Sequence, residues 1–203
     1  MNEHVLHSLH EAKSALDALL SNTRAIDAMT RAGEALVDVF RNGKRVFSCG
    51  NGGSMCDAMH FAEELSGRYR HDRKGLPAVA ISDPGHISCV ANDYGYAHVF
   101  SRYLESHAQA GDCLVGISTS GRSENVLRAA RAAQELGMVV IAMTGRPASD
   151  LGQLAHIEIC TPGGAGFADR VQELQIVVIH ILIELVERGL FPENYAPSQT
   201  SLT

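Results

Sequence analysis

From Lys44 onward the chain alternates short apolar, β-branched runs with longer helical ones, and each short run ends in Gly, Ser, Asn or Asp. The short runs are Arg45–Cys49, Ala78–Ser82, Leu114–Ser118, Val139–Met143 and Ile157–Cys160. Strands that read as near-continuous apolar stretches are buried on both faces, and helices between them serve as crossovers. Because such crossovers are right-handed, the pattern predicts an α/β fold, a three-layer α-β-α sandwich built on a doubly wound, five-stranded parallel sheet. No Pro- or Ser-rich linker interrupts the 203 residues and no long-period repeat is present, so one domain is expected.

The two ends depart from this alternation. In residues 1–43, Val5, Leu9, Ala12, Leu16 and Leu19 recur at steps of four and three, an apolar stripe of heptad type, and Ile26, Met29, Leu36, Val39 and Phe40 mark a second helix. Two roles fit this helical segment: covering the domain's own core, or meeting a partner helix in an oligomer. The last helix, about Asp169 to Arg188, carries Ile176, Val177, Val178, Ile179, Ile181, Leu182 and Ile183 on every side. A helix apolar all round is buried all round, and a domain of this size has little room to bury an outer helix, so a second subunit is expected over part of it. Residues 193–203 read as a disordered tail.

With 17 Lys plus Arg against 23 Asp plus Glu, the formal charge is −6 and no broad cationic face is available for nucleic acid or anionic lipid. Any anionic ligand has to be held locally. The longest apolar run, Ile176 to Ile183, is broken by His180 and is far shorter than the roughly 20 residues of a membrane span. The charged N-terminus lacks the apolar stretch of a signal peptide, and five cysteines without a C-x-x-C pair read as buried thiols, so a cytoplasmic location is expected. Ten histidines, with Trp absent, make imidazole the abundant chemistry.

Two strand-to-helix turns could hold an anion. Cys49-Gly50-Asn51-Gly52-Gly53-Ser54 follows the first strand, where backbone N–H groups and a helix N-terminus face the usual ligand crevice of an α/β sheet. Its glycines fit the dinucleotide pattern poorly. Gly116-Ile117-Ser118-Thr119-Ser120-Gly121-Arg122-Ser123 follows the third strand and offers four hydroxyls, a phosphate cradle made of neutral donors with Arg122 as its one cation. Without a ligand, the same residues would be a tight turn and a Ser N-cap. His60 and Glu64 form an i, i+4 pair able to share a metal or a proton, although spacing alone does not choose Glu64 over Glu63. Asp169 and Gln172 match a capping box, and His180 lies amid aliphatic residues at a desolvation cost that functional sites commonly carry.

Taken together, SCGNGGS, DAMHFAEELSGRYR, AISD followed by HISCVANDYGY, GISTSG, and ADRVQE followed by VIHILIELVE resemble the bacterial phosphoheptose isomerases of the sugar-isomerase (SIS) domain superfamily, from Gly43 to Glu187. The resemblance implies a SIS phosphosugar isomerase domain over 44–192. It also implies a cytoplasmic homotetramer that converts D-sedoheptulose 7-phosphate to D-glycero-D-manno-heptose 7-phosphate, towards ADP-heptose and lipopolysaccharide. Carried over by position, it makes Asn51, Gly52, Gly53, Glu64, Asn92, Asp93, Ser118, Thr119, Ser120, Ser123 and Gln172 substrate-binding. It gives one Zn²⁺ per subunit the ligands His60, Glu64, Gln172 and His180, and makes Glu64 the base and His180 its acid partner. Met55 and the glycine-rich 161–167 segment depart from the family's pattern.

The chemistry needs these residue types: a carboxylate to carry a proton between adjacent carbons through an enediol, and an electrophile to meet the charge growing on the carbonyl oxygen. A metal bound tightly to Glu64 would make that carboxylate a poorer base. Gln172 and His180 lie eight residues apart, roughly 12 Å of rise and about 80° around a helix, so intersubunit active sites are expected. The alternative is a non-catalytic SIS protein, either a phosphosugar-sensing regulator or a binder of the replication initiator DnaA. Against these, residues 1–43 form no basic recognition helix, and the DnaA-binding paralogue lacks the His60, Glu64 and His180 set. Another phosphosugar isomerase, or a deacylating relative, could use the same cradle.

Overall fold

The computed structural model describes residues 1–163 and 167–195. Two helices, α1 (Asn2–Leu20) and α2 (Thr23–Arg41), precede β1 (Val46–Cys49), α3 (Gly53–Ser66), β2 (Ala78–Ala80), α4 (Pro84–Tyr94), α5 (Ser101–His107), β3 (Cys113–Ser118), α6 (Glu124–Glu135), β4 (Val139–Thr144), α7 (Asp150–Leu154), β5 (Ile157–Cys160) and α8 (Ala168–Leu190). The five strands pair in parallel in the order β2-β1-β3-β4-β5. The expected sheet is therefore present, each strand within a residue or two of its sequence pattern.

Alternate strand residues feed two cores. Val46, Val115, Ile117, Ile141, Met143 and Ile159 pack under α2, α3 and α8, while Phe47, Leu114, Val140 and Ala142 pack under α4, α5, α6 and α7. Both faces are thus covered, the arrangement for which near-continuous apolar strands are suited.

The N-terminal stripe reaches this chain's own core only at its C-terminal end. Of α1 only Ala15 and Leu19 are buried, whereas Val5 is 57% and Leu9 62% exposed. α8 buries Leu174, Val178, Ile179, Leu182, Ile183 and Val186 inward. Its outer side turns Val177, Ile181 and Leu185, one helical turn apart, into an apolar groove of about 330 Å³ shared with Leu16, Leu20, Ile26 and Met29. The single chain therefore leaves part of its most apolar helix open, as the pattern of that helix implies.

Three details differ from expectation. Asp169 does not cap α8: the helix begins at Ala168, Asp169 is already inside it, and its Oδ1 accepts from the next amide, Arg170 N, at 2.8 Å. A capping residue has to stand outside the first turn to reach the third N–H, so the Asp169–Gln172 box cannot form. Of the expected tail 193–203, residues 193–195 belong to a 3₁₀ turn, Pro192–Tyr195, and 196–203 lie outside the described residues, as do 164–166 of the glycine-rich segment. Among the cysteines, all free, Cys49 and Cys113 are buried but Cys56 and Cys89 are exposed.

Burial pushes the Cys49 thiol up to about 12, and burial with the nearby Asp112 raises Cys113 further still. Ellman's reagent followed by peptide mapping is expected to find Cys49 and Cys113 unmodified until the protein unfolds. Labelling of Cys49 at the rate of Cys56 in native protein would contradict that burial. Among the described residues no helix is long and apolar enough to cross a membrane.

Candidate active site

The order β2-β1-β3 makes β1 and β3 neighbours whose connections leave in opposite directions, which opens a crevice at their C-terminal ends. Both glycine-containing turns lie there. Gly52 takes φ +56°, a left-handed value that suits glycine. The Gln172 amide packs against the Gly53 backbone, its Nε2 2.6 Å from where a Cβ would stand, so a side chain at 53 would have to push that amide aside. Across the crevice Ser118 Oγ is 3.0 Å from Ser123 Oγ and 3.5 Å from Ser120 Oγ. Ser123 stands at the N-cap of α6 yet makes no side-chain cap bond. Its hydroxyl is turned to the cluster instead, so capping does not account for this group of serines.

The two turns are tied together by a reciprocal amide pair. Asn51 Nδ2 donates to Asn125 Oδ1 at 2.9 Å, Asn125 Nδ2 returns the bond to Asn51 Oδ1 at 2.8 Å, and the Tyr96 hydroxyl donates to the same Oδ1 at 3.0 Å. Asn51 thereby has both ends of its amide engaged inside the chain. Asn92 and Asp93 lie at the exposed end of α4, where Asn92 Nδ2 donates to Asp93 Oδ1 at 2.7 Å. Tyr96, just beyond them, connects that rim to Asn51. Neither Asn125 nor Tyr96 could be read from the sequence, because nothing in their spacing shows that both reach the first turn.

The second constellation lies further along α3. His60 Nε2 is 3.2 Å from Glu64 Oε1, His180 Nε2 is 3.8 Å from Glu64 Oε2, and the two imidazole nitrogens are 3.3 Å apart. α3 and α8 lie side by side and run in the same direction, so residues 60 and 180 meet about two turns beyond Gly53 and Gln172. The Glu64 side chain is 17% exposed between imidazoles that are each 40% exposed, whereas Glu63 points to solvent. Geometry thus selects Glu64, the choice that helical spacing left open. Tyr69 stacks on the His180 ring, 5.9 Å between centroids and 23° between planes.

These side chains fit a cation. One nitrogen or oxygen of each of His60, Glu64 and His180 lies within 4.8 Å of the others. Glu64 Oε2 is buried and accepts no hydrogen bond among the described residues, although an unsatisfied buried group costs about 1–3 kcal/mol and more when charged. A cation or a substrate proton would satisfy it. Asp57, one turn before His60, is raised to about 6 by burial, with His60 pulling the other way. Gln172 is not part of this cluster. Its amide sits at the first residue of α3, seven residues and so about 10 Å of helix rise from His60.

The family model for the SIS domain matches residues 9–145. The chain belongs to the SIS-domain family. Within that family the phosphoheptose isomerase of Enterobacter sp. (strain 638) is 55% identical over 92% of this chain and 96% of its own, and that of Salmonella dublin is 53% identical over 94% and 99%. The structure of phosphoheptose isomerase GmhA from Neisseria gonorrhoeae superposes with a TM-score of 0.84 at 34% identity, covering 92% of this chain and 98% of its own. At such identity over nearly the whole length, the chain is a member of the phosphoheptose isomerase branch of the SIS family.

Proposed function

We propose that the protein interconverts D-sedoheptulose 7-phosphate and D-glycero-D-manno-heptose 7-phosphate, on the route to ADP-heptose and lipopolysaccharide in the cytoplasm. The observation that carries this reading is the shielded Glu64 carboxylate held between two imidazoles, in a member of the phosphoheptose isomerase family that also carries a hydroxyl-lined cradle at the β1–β3 crevice. The phosphate is assigned to Ser118, Thr119, Ser120 and Ser123 at the N-terminus of α6, where dipoles and hydroxyls hold an anion on a molecule of net negative charge. Asn51, Gly52, Gly53, Asn92, Asp93 and Gln172 are assigned to the sugar. Glu64 takes the proton from C1 of the ketose and returns it to C2 of the enediol, while His180 moves protons at the two oxygens.

His60, Glu64 and His180, with Gln172 as fourth ligand, would hold a zinc ion, one per subunit, which when bound would withdraw charge from the carbonyl. The separation of Gln172 from the other three within one chain supports sites shared between subunits. The open apolar groove on α8 and the exposed stripe on α1 support a homotetramer that buries them.

The test is to incubate the protein with sedoheptulose 7-phosphate and follow the aldoheptose signals by NMR, with and without prior chelation. Product is expected from the untreated protein and a large loss after chelation, restored by zinc. No product from untreated protein would favour a non-catalytic phosphosugar-binding role. Undiminished activity after chelation would remove zinc from the mechanism.

A further inference from the structure

The segment from Gly67 to Pro77, between α3 and β2, holds none of the residues assigned to substrate or metal, yet one of its side chains is anchored under the reacting pair. The Arg73 guanidinium and the Glu187 carboxylate are both fully buried and form an ion pair, Nε to Oε1 2.9 Å. Arg73 Nη2 donates to the Glu64 carbonyl at 2.6 Å, and Nη1 donates to the carbonyls of Leu65 at 2.8 Å and Gly67 at 3.0 Å. These are the carbonyls that the end of α3 leaves without helical partners, at the negative end of its dipole. Glu187 lies two turns beyond His180 on α8. One side chain therefore joins the backbone of Glu64 to the helix that carries His180.

Glu187 is in turn held from outside. Its Oε2 accepts the Tyr195 hydroxyl at 2.8 Å, and burial together with Glu187 pushes that hydroxyl up to about 12, so it remains a donor at any working pH. Tyr195 is itself clamped. Arg188 lies 4.3 Å over its ring, His71 meets the ring edge-on at 5.2 Å between centroids, and Asn194 Nδ2 donates to the Asp72 carbonyl at 3.2 Å.

We infer that Arg73, locked by Glu187 and Tyr195, is a positioning residue for the Glu64–His180 pair. This rests on the reading that those two residues do the chemistry. A fully buried ion pair gives little stability that an apolar pair could not give, whereas a planar fork reaching three carbonyls and a carboxylate fixes distances that an apolar pair cannot. Proton transfer between adjacent carbons is sensitive to such placement, a misplacement of about 1 Å costing on the order of 100-fold.

The experiment compares wild type, Arg73→Lys, Tyr195→Phe and Glu64→Gln in steady-state kinetics on sedoheptulose 7-phosphate, thermal melting, and zinc competition against a chromophoric chelator. Lysine keeps the charge but not the fork, and is expected to lower kcat by about tenfold or more with KM within about twofold and to weaken zinc retention. Phenylalanine removes one hydroxyl and is expected to lower kcat by about two- to fivefold at an unchanged melting temperature. A purely structural role would lower the melting temperature and leave kcat and zinc affinity of the folded protein alone. Wild-type kcat and zinc affinity in both variants, with Glu64→Gln inactive, would overturn the inference. Should Arg73→Lys not fold, Tyr195→Phe decides it by the same measure. Wild-type turnover by Glu64→Gln would instead overturn the acid-base reading on which the inference stands.

Discussion

Replacing Glu64 by Gln lowers kcat by about 10³-fold, within the 10²–10⁴ range that a positioned acid or base supplies, while KM stays near the wild-type value. The amide has the shape of the carboxylate but cannot accept a proton from carbon, and the serine cradle assigned to the phosphate is separate from it. His180→Gln removes the imidazole assigned to proton exchange at the oxygens and is expected to lose on the order of 100-fold. Glu63→Gln, on the solvent side of the same helix, is expected to turn over normally. NMR of the aldoheptose product, with deuterium uptake from heavy water as a second signal of the enediol, measures all three. Activity surviving in both Glu64→Gln and His180→Gln would overturn the assigned mechanism.

Mixed oligomers give the second large effect. If Gln172 of one subunit completes the site that His60, Glu64 and His180 of another begin, then Glu64→Gln and Gln172→Ala proteins, each nearly inactive alone, complement one another. When the two are unfolded together in equal amounts and refolded, random assembly makes about one site in four carry both native residues, so activity rises to roughly a quarter of wild type. Refolding each variant separately and then mixing without exchange gives no such rise. Absence of recovery in co-refolded samples that sediment as oligomers would show that each site is built by one chain.

Much of this molecule was legible in its sequence because the signals are periodic. Strands buried on both faces must be apolar throughout, so all five strands and their parallel pairing follow from runs such as Leu114–Ser118 and Val139–Met143. The two turns at the crevice were legible for a related reason: glycine and serine clusters directly after an apolar run mark the strand-to-helix turns of such a sheet. The capping box failed because the pattern Asp-x-x-Gln is unchanged when a helix starts two residues earlier, as α8 does at Ala168 with Phe167 at its N-cap. The reading of the cysteines as buried failed for Cys56 and Cys89, since burial of a single side chain depends on which way its helix is turned.

The sequence alone therefore determined the layers of the fold, the two turns at the switch point and, through resemblance, the family. Tertiary structure decided which acid faces His180, because Glu63 and Glu64 differ only in rotation about α3. It placed the Gln172 amide against Gly53, giving a position to the separation from His180 that helix spacing had implied. It also brought Arg73 and Tyr195, 122 positions apart in the chain, onto the same buried carboxylate. Local periodicity records which face of an element is apolar. The distance between two helices lying in register on one sheet is set by packing across the whole domain, and no window of sequence contains it.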